Sequence, residues 1–146
     1  MRKTLFLLML SAGLFTACNK NEGKPTSDNA GKVLQQKTWR MTIYFDNGDD
    51  KLATYTGYAF KFSDNGAVEA VRNDVHKYGT WKDTVMNDTV TNSQVSSLLL
   101  NFGDDRPFRD LNKNWEVVSK TTKTVHLRMK DRPTDAYDEI YFNLNY

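Results

Sequence analysis

Apolar and more polar side chains alternate with a period of two along most of the chain after residue 37. In the first such segment Trp39, Met41, Ile43 and Phe45 occupy every second position. Successive side chains of a β-strand point to opposite faces, whereas a helix repeats every 3.6 residues. The pattern therefore predicts half-buried strands rather than helices.

The same period marks further strands, most of them bounded by a turn signal. Tyr58, Phe60 and Phe62 share one face of the second strand, and the Asp-Asn-Gly sequence at 64–66 predicts a hairpin turn after it. The later apolar faces lie at 68–70, 78–81, 98–102, 115–117, 125–129 and 140–144. The polar stretch 83–91 fits a short strand or a long loop, and 108–111 fits one helical turn.

About eight short strands without a long helix predict an all-β fold. Antiparallel strands that follow one another form a meander, and closure of the meander removes its exposed edges. We therefore expect a small antiparallel eight-stranded up-and-down barrel whose first strand pairs with its last; the alternative is a two-sheet β-sandwich. Large aromatic side chains on the inward positions favour a filled interior over a deep lipophilic cup. They are Trp39, Phe45, Phe60, Phe62, Trp81, Phe102, Trp115 and Phe142.

The first residues have the pattern of a secretory signal. Arg2 and Lys3 precede an apolar stretch at 5–14, which is shorter than the ~20 residues of a permanent membrane span. The sequence Phe-Thr-Ala-Cys at 15–18 resembles a bacterial lipobox, so we expect cleavage before Cys18 and attachment of a fatty acid such as palmitate to it. The alternative is ordinary signal cleavage after Gly13, which would leave Cys18 as an incidental thiol.

This interpretation divides the chain into a removed signal peptide (1–17), a lipidated cysteine with a flexible polar tether (18–31) and one barrel domain (32–146). The chain has 20 Lys and Arg against 18 Asp and Glu; loss of Arg2 and Lys3 with the signal leaves 18 of each and a formal charge of 0. A neutral domain without a basic run has no electrostatic footprint for nucleic acid. Because Cys18 is the only cysteine, its acylation would also exclude disulfides and thiol chemistry.

No motif for hydrolysis, phosphate binding or acyl transfer stands out, so we expect a protein that is not an enzyme and carries no cofactor. His126 lies on the polar phase of its strand and is expected to face solvent, and His76 lies in a predicted loop without a second ligand at metal spacing, so no metal site is expected. The acidic segment 46–50 places Gly48 where a calcium loop needs a ligand, which favours a solvated hairpin turn.

Four tyrosines are candidate ligand-binding residues because they fall on polar phases or in loops: Tyr44, Tyr55, Tyr78 and Tyr141. Exposed amphipathic rings stack on sugars or on partner proteins. The alternative is that they fill the outer face of the barrel, since tyrosine favours strands.

Two short sequences, Asp-Thr-Val at 83–85 and at 88–90, resemble the acceptor for O-linked glycans in Bacteroidetes. They make Thr84 and Thr89 candidates for O-glycosylation.

Several motifs together resemble the lipocalin-like lipoproteins of Bacteroidetes-type bacteria. They are Val-Leu at 33–34 before Trp39, the hairpin at 60–66, Gly-Thr-Trp at 79–81, and Leu111 with Trp115. True lipocalins open with Gly-x-Trp, whereas Lys37 stands at the glycine position here. The resemblance implies a lipocalin-like barrel and no particular function, because these proteins are mostly of unassigned role.

The fold and the anchor indicate a non-enzymatic binding domain at the cell envelope, for a small lipophile, a glycan or an envelope protein. The alternative is an accessory subunit of an envelope complex with no ligand of its own; a hydrolase is least favoured. Asn19 after the cysteine favours the outer membrane, and the single acidic residue nearby, Glu22, favours attachment facing the periplasm.

Overall fold

The computed structural model describes residues 29–88, 92–129 and 137–146. Within them, β2 pairs only with β1, and the other eight strands close into an antiparallel barrel because β1 pairs with both β3 and β9. The elements in chain order are α1 (Ala30–Gln35), β1 (Thr38–Asp46), β2 (Asp49–Asp50), α2 (Leu52–Tyr55), β3 (Ala59–Phe62), β4 (Ala67–Arg72), β5 (Val75–Asp88), β6 (Ser93–Asn101), a 3-10 helix (Phe108–Leu111), β7 (Asn114–Lys120), β8 (Thr124–Met129) and β9 (Asp138–Leu144). The predicted all-β barrel is confirmed, with its first strand beside its last, and the sandwich is excluded.

Aromatic side chains occupy the barrel axis. The ring of Phe142 lies 5.2 Å from that of Phe60 and 5.7 Å from that of Phe62, and the Trp81 ring is 6.0 Å from Phe62. Such tilted and edge-to-face ring pairs stabilise a core beyond the area that they bury. The filled interior expected from the number of inward aromatic residues is therefore present.

The first strand departs from strict alternation at a β-bulge between Met41 and Ile43. A bulge adds one residue to one strand of a pair, which moves every later side chain to the opposite face. Tyr44 is consequently buried, with 1% of its surface exposed, whereas Phe45 is only partly buried. The predictions that Phe45 points into the core and that Tyr44 points outward are both wrong for this reason.

Helix α1 closes one end of the barrel. The side chain of Asn29 caps it by accepting a hydrogen bond from the Lys32 N–H at 2.9 Å. Val33 and Leu34 are buried, and the Leu34 carbonyl accepts a hydrogen bond from the Trp39 indole N–H at 2.8 Å. Because Asn29 caps α1 and the helix begins at Ala30, the last three residues assigned to the flexible tether belong to the folded domain; residues 18–28 lie outside the described residues.

The opposite end is closed by the 3-10 helix, which confirms the helical turn predicted at 108–111. Phe108 is fully buried, and its ring lies 5.3 Å from that of Tyr55, 5.0 Å from Tyr58 and 5.1 Å from Phe102. Aromatic side chains from α2 and from the loops thus cover the mouth that an open lipocalin-type cup would present.

The acidic segment after β1 is a hairpin turn, as predicted. Asn47 and Gly48 have φ of 54° and 84°, the left-handed conformation that a tight turn between β1 and β2 requires. The carboxylate of Asp138 accepts a hydrogen bond from the Asn47 N–H and another from the Lys113 ammonium group, which also binds Asp46 at 3.0 Å. This cation therefore ties the turn to β7 and β9.

Candidate functional site

The four candidate tyrosines do not form one patch. Tyr44 and Tyr55 are buried; their rings meet edge to face at 5.1 Å, and their hydroxyls donate to the backbone carbonyls of Asp110 and Pro107 at 3.4 and 3.0 Å. Burial raises the pKa of both phenols above the ordinary value. The expectation that these two side chains lie on the surface is wrong, because the bulge turns one inward and α2 carries the other into the core.

Tyr141 lies on the outer face of β9 but is partly covered. Its ring stacks on His126 with 4.0 Å between centroids, and His126 Nε2 lies 2.6 Å from Glu139 Oε1. The His126 side chain is 12% exposed, so the prediction that it faces solvent is wrong. His126 does lie on the outer face of β8, as its position in the alternation predicts, but its cross-strand neighbours cover it. Burial lowers the pKa of His126, although the hydrogen bond to Glu139 acts in the opposite direction.

Tyr78 stands out on the outer face of β5, with 68% of its surface exposed. His76 lies two residues earlier on the same face, its ring 6.1 Å away and nearly parallel. The imidazole Nδ1 is 2.8 Å from Glu69 Oε1 on the neighbouring β4, and this hydrogen bond lowers the pKa of Glu69. His76 therefore belongs to a strand, where a loop was predicted.

Glu69, His76 and Tyr78 form what we call the Tyr78 surface. Its phenol ring, imidazole and carboxylate are held by strand pairing, since Glu69 lies opposite Tyr78 and Val71 opposite His76. An exposed ring beside fixed hydrogen-bonding groups can stack on an apolar face of a ligand while the polar groups orient it. Of the residues singled out in the sequence, Tyr78 and His76 are brought together here; Tyr141 lies on β9, away from them.

An open depression of about 400 Å³ lies beside α1 at the end of the barrel that α1 closes. It is lined by Asp64, Asn65, Gly66, Trp81, Lys82 and Asp83. Asp83 Oδ1 accepts a hydrogen bond from the Gly31 N–H at 3.0 Å, and burial raises the pKa of this carboxyl group, although that bond and Lys120 oppose the shift. The position of this carboxylate can be inferred from the sequence. Asp83 stands two residues after the inward Trp81, so the alternation places its charge on the inward face.

The remaining sequence candidates concern modification. Thr84 lies in β5, partly buried and opposite Ser97 of β6, so the polar stretch after Trp81 is a strand as far as Asp88. Thr89 and Cys18 lie outside the described residues.

Across 29–88, 92–129 and 137–146, no group of three or more His, Cys, Asp or Glu is placed to hold a metal ion. None of the helices in those ranges has the length and apolar character of a membrane span.

Comparison of the chain with protein families, with curated proteins and with solved structures found no match.

Proposed function

We propose that this chain is a lipid-anchored, lipocalin-like protein of the cell envelope that is not an enzyme and that binds its ligand on the outside of the barrel. The observation that carries the proposal is the occupied interior: aromatic rings fill the axis, α1 closes one end, and Phe108 closes the other. An eight-stranded barrel packed in this way has no room for a lipophile. Recognition is then left to the outer surface.

The Tyr78 surface is the best-equipped part of that exterior. The ring of Tyr78 lies beside that of His76 and still has 68% of its surface exposed for stacking on a ligand. His76 and Glu69 hold each other in a fixed orientation and offer hydrogen bonds. This combination suits a glycan, whose rings present apolar C–H faces edged by hydroxyls. A protein segment is the alternative ligand for the same surface.

A thermal-shift screen of residues 19–146 against oligosaccharides tests this proposal. A ligand that binds the folded state alone raises the melting temperature by mass action. We expect Tyr78→Ala to abolish the shift produced by the binding sugar while changing the free energy of unfolding by no more than about 0.5 kcal/mol, because the side chain is exposed. Tyr137→Ala is the matched control, since Tyr137 is also exposed (43%) and lies outside the Tyr78 surface. A shift that persists in Tyr78→Ala would contradict the proposal.

The anchor is tested separately. We expect Cys18→Ser to abolish incorporation of a labelled fatty acid and to move the protein from the membrane pellet into the soluble fraction. The melting temperature of the barrel should stay unchanged, because every element of the barrel begins after residue 29. Persistent labelling of the Cys18→Ser chain would rule out the anchor, and protease shaving of whole cells would distinguish the favoured periplasmic face of the outer membrane from the cell surface.

A further inference from the structure

The β5–β6 hairpin continues past the strands on either side of it. β4 pairs with β5 only as far as Thr80, and β6 pairs with β7 only between Ser97 and Leu99. The β5–β6 ladder itself continues to the pair Asp88 and Ser93. Beyond Thr80, β5 therefore has a neighbouring strand on its β6 side and none among the described residues on its other side.

The direction of the peptide groups identifies the free hydrogen-bonding groups. The Trp81 N–H donates to the Gly66 carbonyl at 2.8 Å, so the backbone groups of Trp81 point away from β6. Both backbone groups of a strand residue point to one side, and the side alternates along the strand. The backbone groups of Asp83, Val85 and Asn87 thus also point away from β6, and none of them bonds to another described backbone group. The Val85 carbonyl accepts a long hydrogen bond, 3.4 Å, from the Thr84 hydroxyl, which a closer backbone donor can replace. We call residues 83–87 of β5 the free edge.

The free edge is accessible and carries little protection against pairing. The depression beside α1 borders it at Asp83, and the Val85 side chain is 61% exposed. Natural edge strands are commonly guarded by lysine, proline or a bulge. Asp83 is the one charged residue within the free edge, and its carboxylate is bound to the Gly31 N–H. The other four residues, Thr-Val-Met-Asn at 84–87, include no charge and no proline, and β5 pairs with β6 here without a register shift.

We propose that the free edge pairs with the free edge of a second copy of this chain, antiparallel, about a two-fold axis at Val85. In this register Val85 lies opposite Val85, and Asp83 lies opposite Asn87 of the other copy. Every outward N–H and carbonyl of the three residues then has a partner, and a carboxylate faces an amide rather than a second carboxylate. An axis at Asp83 would instead oppose two carboxylates. Self-complementarity of one patch is what a two-fold dimer requires, and it favours a second copy over an unrelated strand.

Cysteine cross-linking of the full-length chain in its native membrane tests the register. Only the residue on the two-fold axis lies opposite the same residue of the other copy. The two Cα atoms are then ~5.5 Å apart, as in any hydrogen-bonded pair, and a disulfide can bridge this distance. We expect Val85→Cys to give a disulfide-linked dimer on oxidation. Asn87→Cys is the matched control, because two such residues would stand roughly 14 Å apart at 3.4 Å per residue. The parent chain, with Cys18 as its single cysteine, controls for the native thiol.

Sedimentation of the mature chain with Cys18→Ser gives a second, independent measurement. We expect a dimer whose fraction rises with protein concentration and which Val85→Lys removes. At concentrations low enough for the parent chain to be monomeric, the melting temperatures of the two chains should be equal, because the substituted side chain is exposed. Equal cross-linking of Val85→Cys and Asn87→Cys, or a monomer at every concentration together with no Val85→Cys dimer, would overturn the proposal. A cross-linked product with the mass of a different protein would also overturn it, since the edge would then take another partner.

Discussion

Replacing Trp39 by alanine is expected to lower the free energy of unfolding by about 4 kcal/mol, as for other fully buried tryptophans. Trp39 is completely buried at the seam of the barrel, opposite Phe60 on β3 and Leu144 on β9. Its indole N–H also holds α1 through the Leu34 carbonyl. Truncation therefore leaves a cavity at the point where the sheet closes and removes one of the hydrogen bonds that hold the helix at that end.

Urea unfolding followed by circular dichroism measures this loss, provided that the slope of the transition stays constant. Trp39→Phe keeps an aromatic, though smaller, side chain in the core and loses the bond to Leu34, which alone costs about 1 kcal/mol. Its loss should therefore lie well below that of Trp39→Ala. Tyr78→Ala, an aromatic truncation on the surface, should change the free energy of unfolding by no more than about 0.5 kcal/mol. A Trp39→Ala loss as small as that of Tyr78→Ala would contradict the central position of Trp39.

The alternation of side chains was enough to predict the strands and their closure, because a period of two and short turns leave few other antiparallel arrangements. The alternation predicted the wrong faces where a β-bulge adds one residue to a strand. The bulge after Met41 exchanges the faces of Tyr44 and Phe45, and its hydrogen-bond pattern depends on β9, which is about 100 residues away in the chain. Helix α1 was missed for a related reason: six residues do not form a stable helix alone, and this one exists because Val33 and Leu34 are buried in the barrel end.

The candidate site was predicted only in part. The position of Tyr78 on an outer strand face follows from Trp81 pointing inward three residues later, so its exposure is readable from the pattern. His126 has the same outward phase and is nevertheless covered, because Tyr141 lies opposite it and Glu139 binds its ring. The alternation of side chains shows which face of a sheet a residue occupies. Whether a cross-strand neighbour covers that residue depends on the register of the paired strands, which the sequence alone does not reveal.

Loss of the Lys113 cation is the second large effect that we expect. Lys113 Nζ binds Asp46 at 3.0 Å and also binds Asp138, whose side chain is only 11% exposed. Lys113→Met would leave two neighbouring carboxylates without a counter-charge. Breaking a fully buried pair from one side costs about 3 kcal/mol, so we expect a loss of about 2 kcal/mol for this partly buried cluster. Adding Asp138→Asn should recover part of that loss, because the buried negative charge is then removed. If the double variant is less stable than Lys113→Met, the uncompensated charge is not the cause.

The same cluster makes a prediction at high pH. Burial alone would lower the pKa of Lys113, but the hydrogen bonds from its ammonium group to Asp138 and Asp46 outweigh burial and raise the pKa. A pKa raised on folding means that the folded chain holds the proton more tightly than the unfolded chain. The resulting stabilisation is complete below the ordinary lysine pKa of about 10.4 and disappears as the pH rises through the higher folded value. The difference in unfolding free energy between the wild type and Lys113→Met should therefore be constant from pH 7 to about pH 9.5 and shrink above about pH 10.5. Because the tyrosines titrate in both chains, this difference isolates the lysine, and a gap that widens with alkaline pH would contradict the assigned direction.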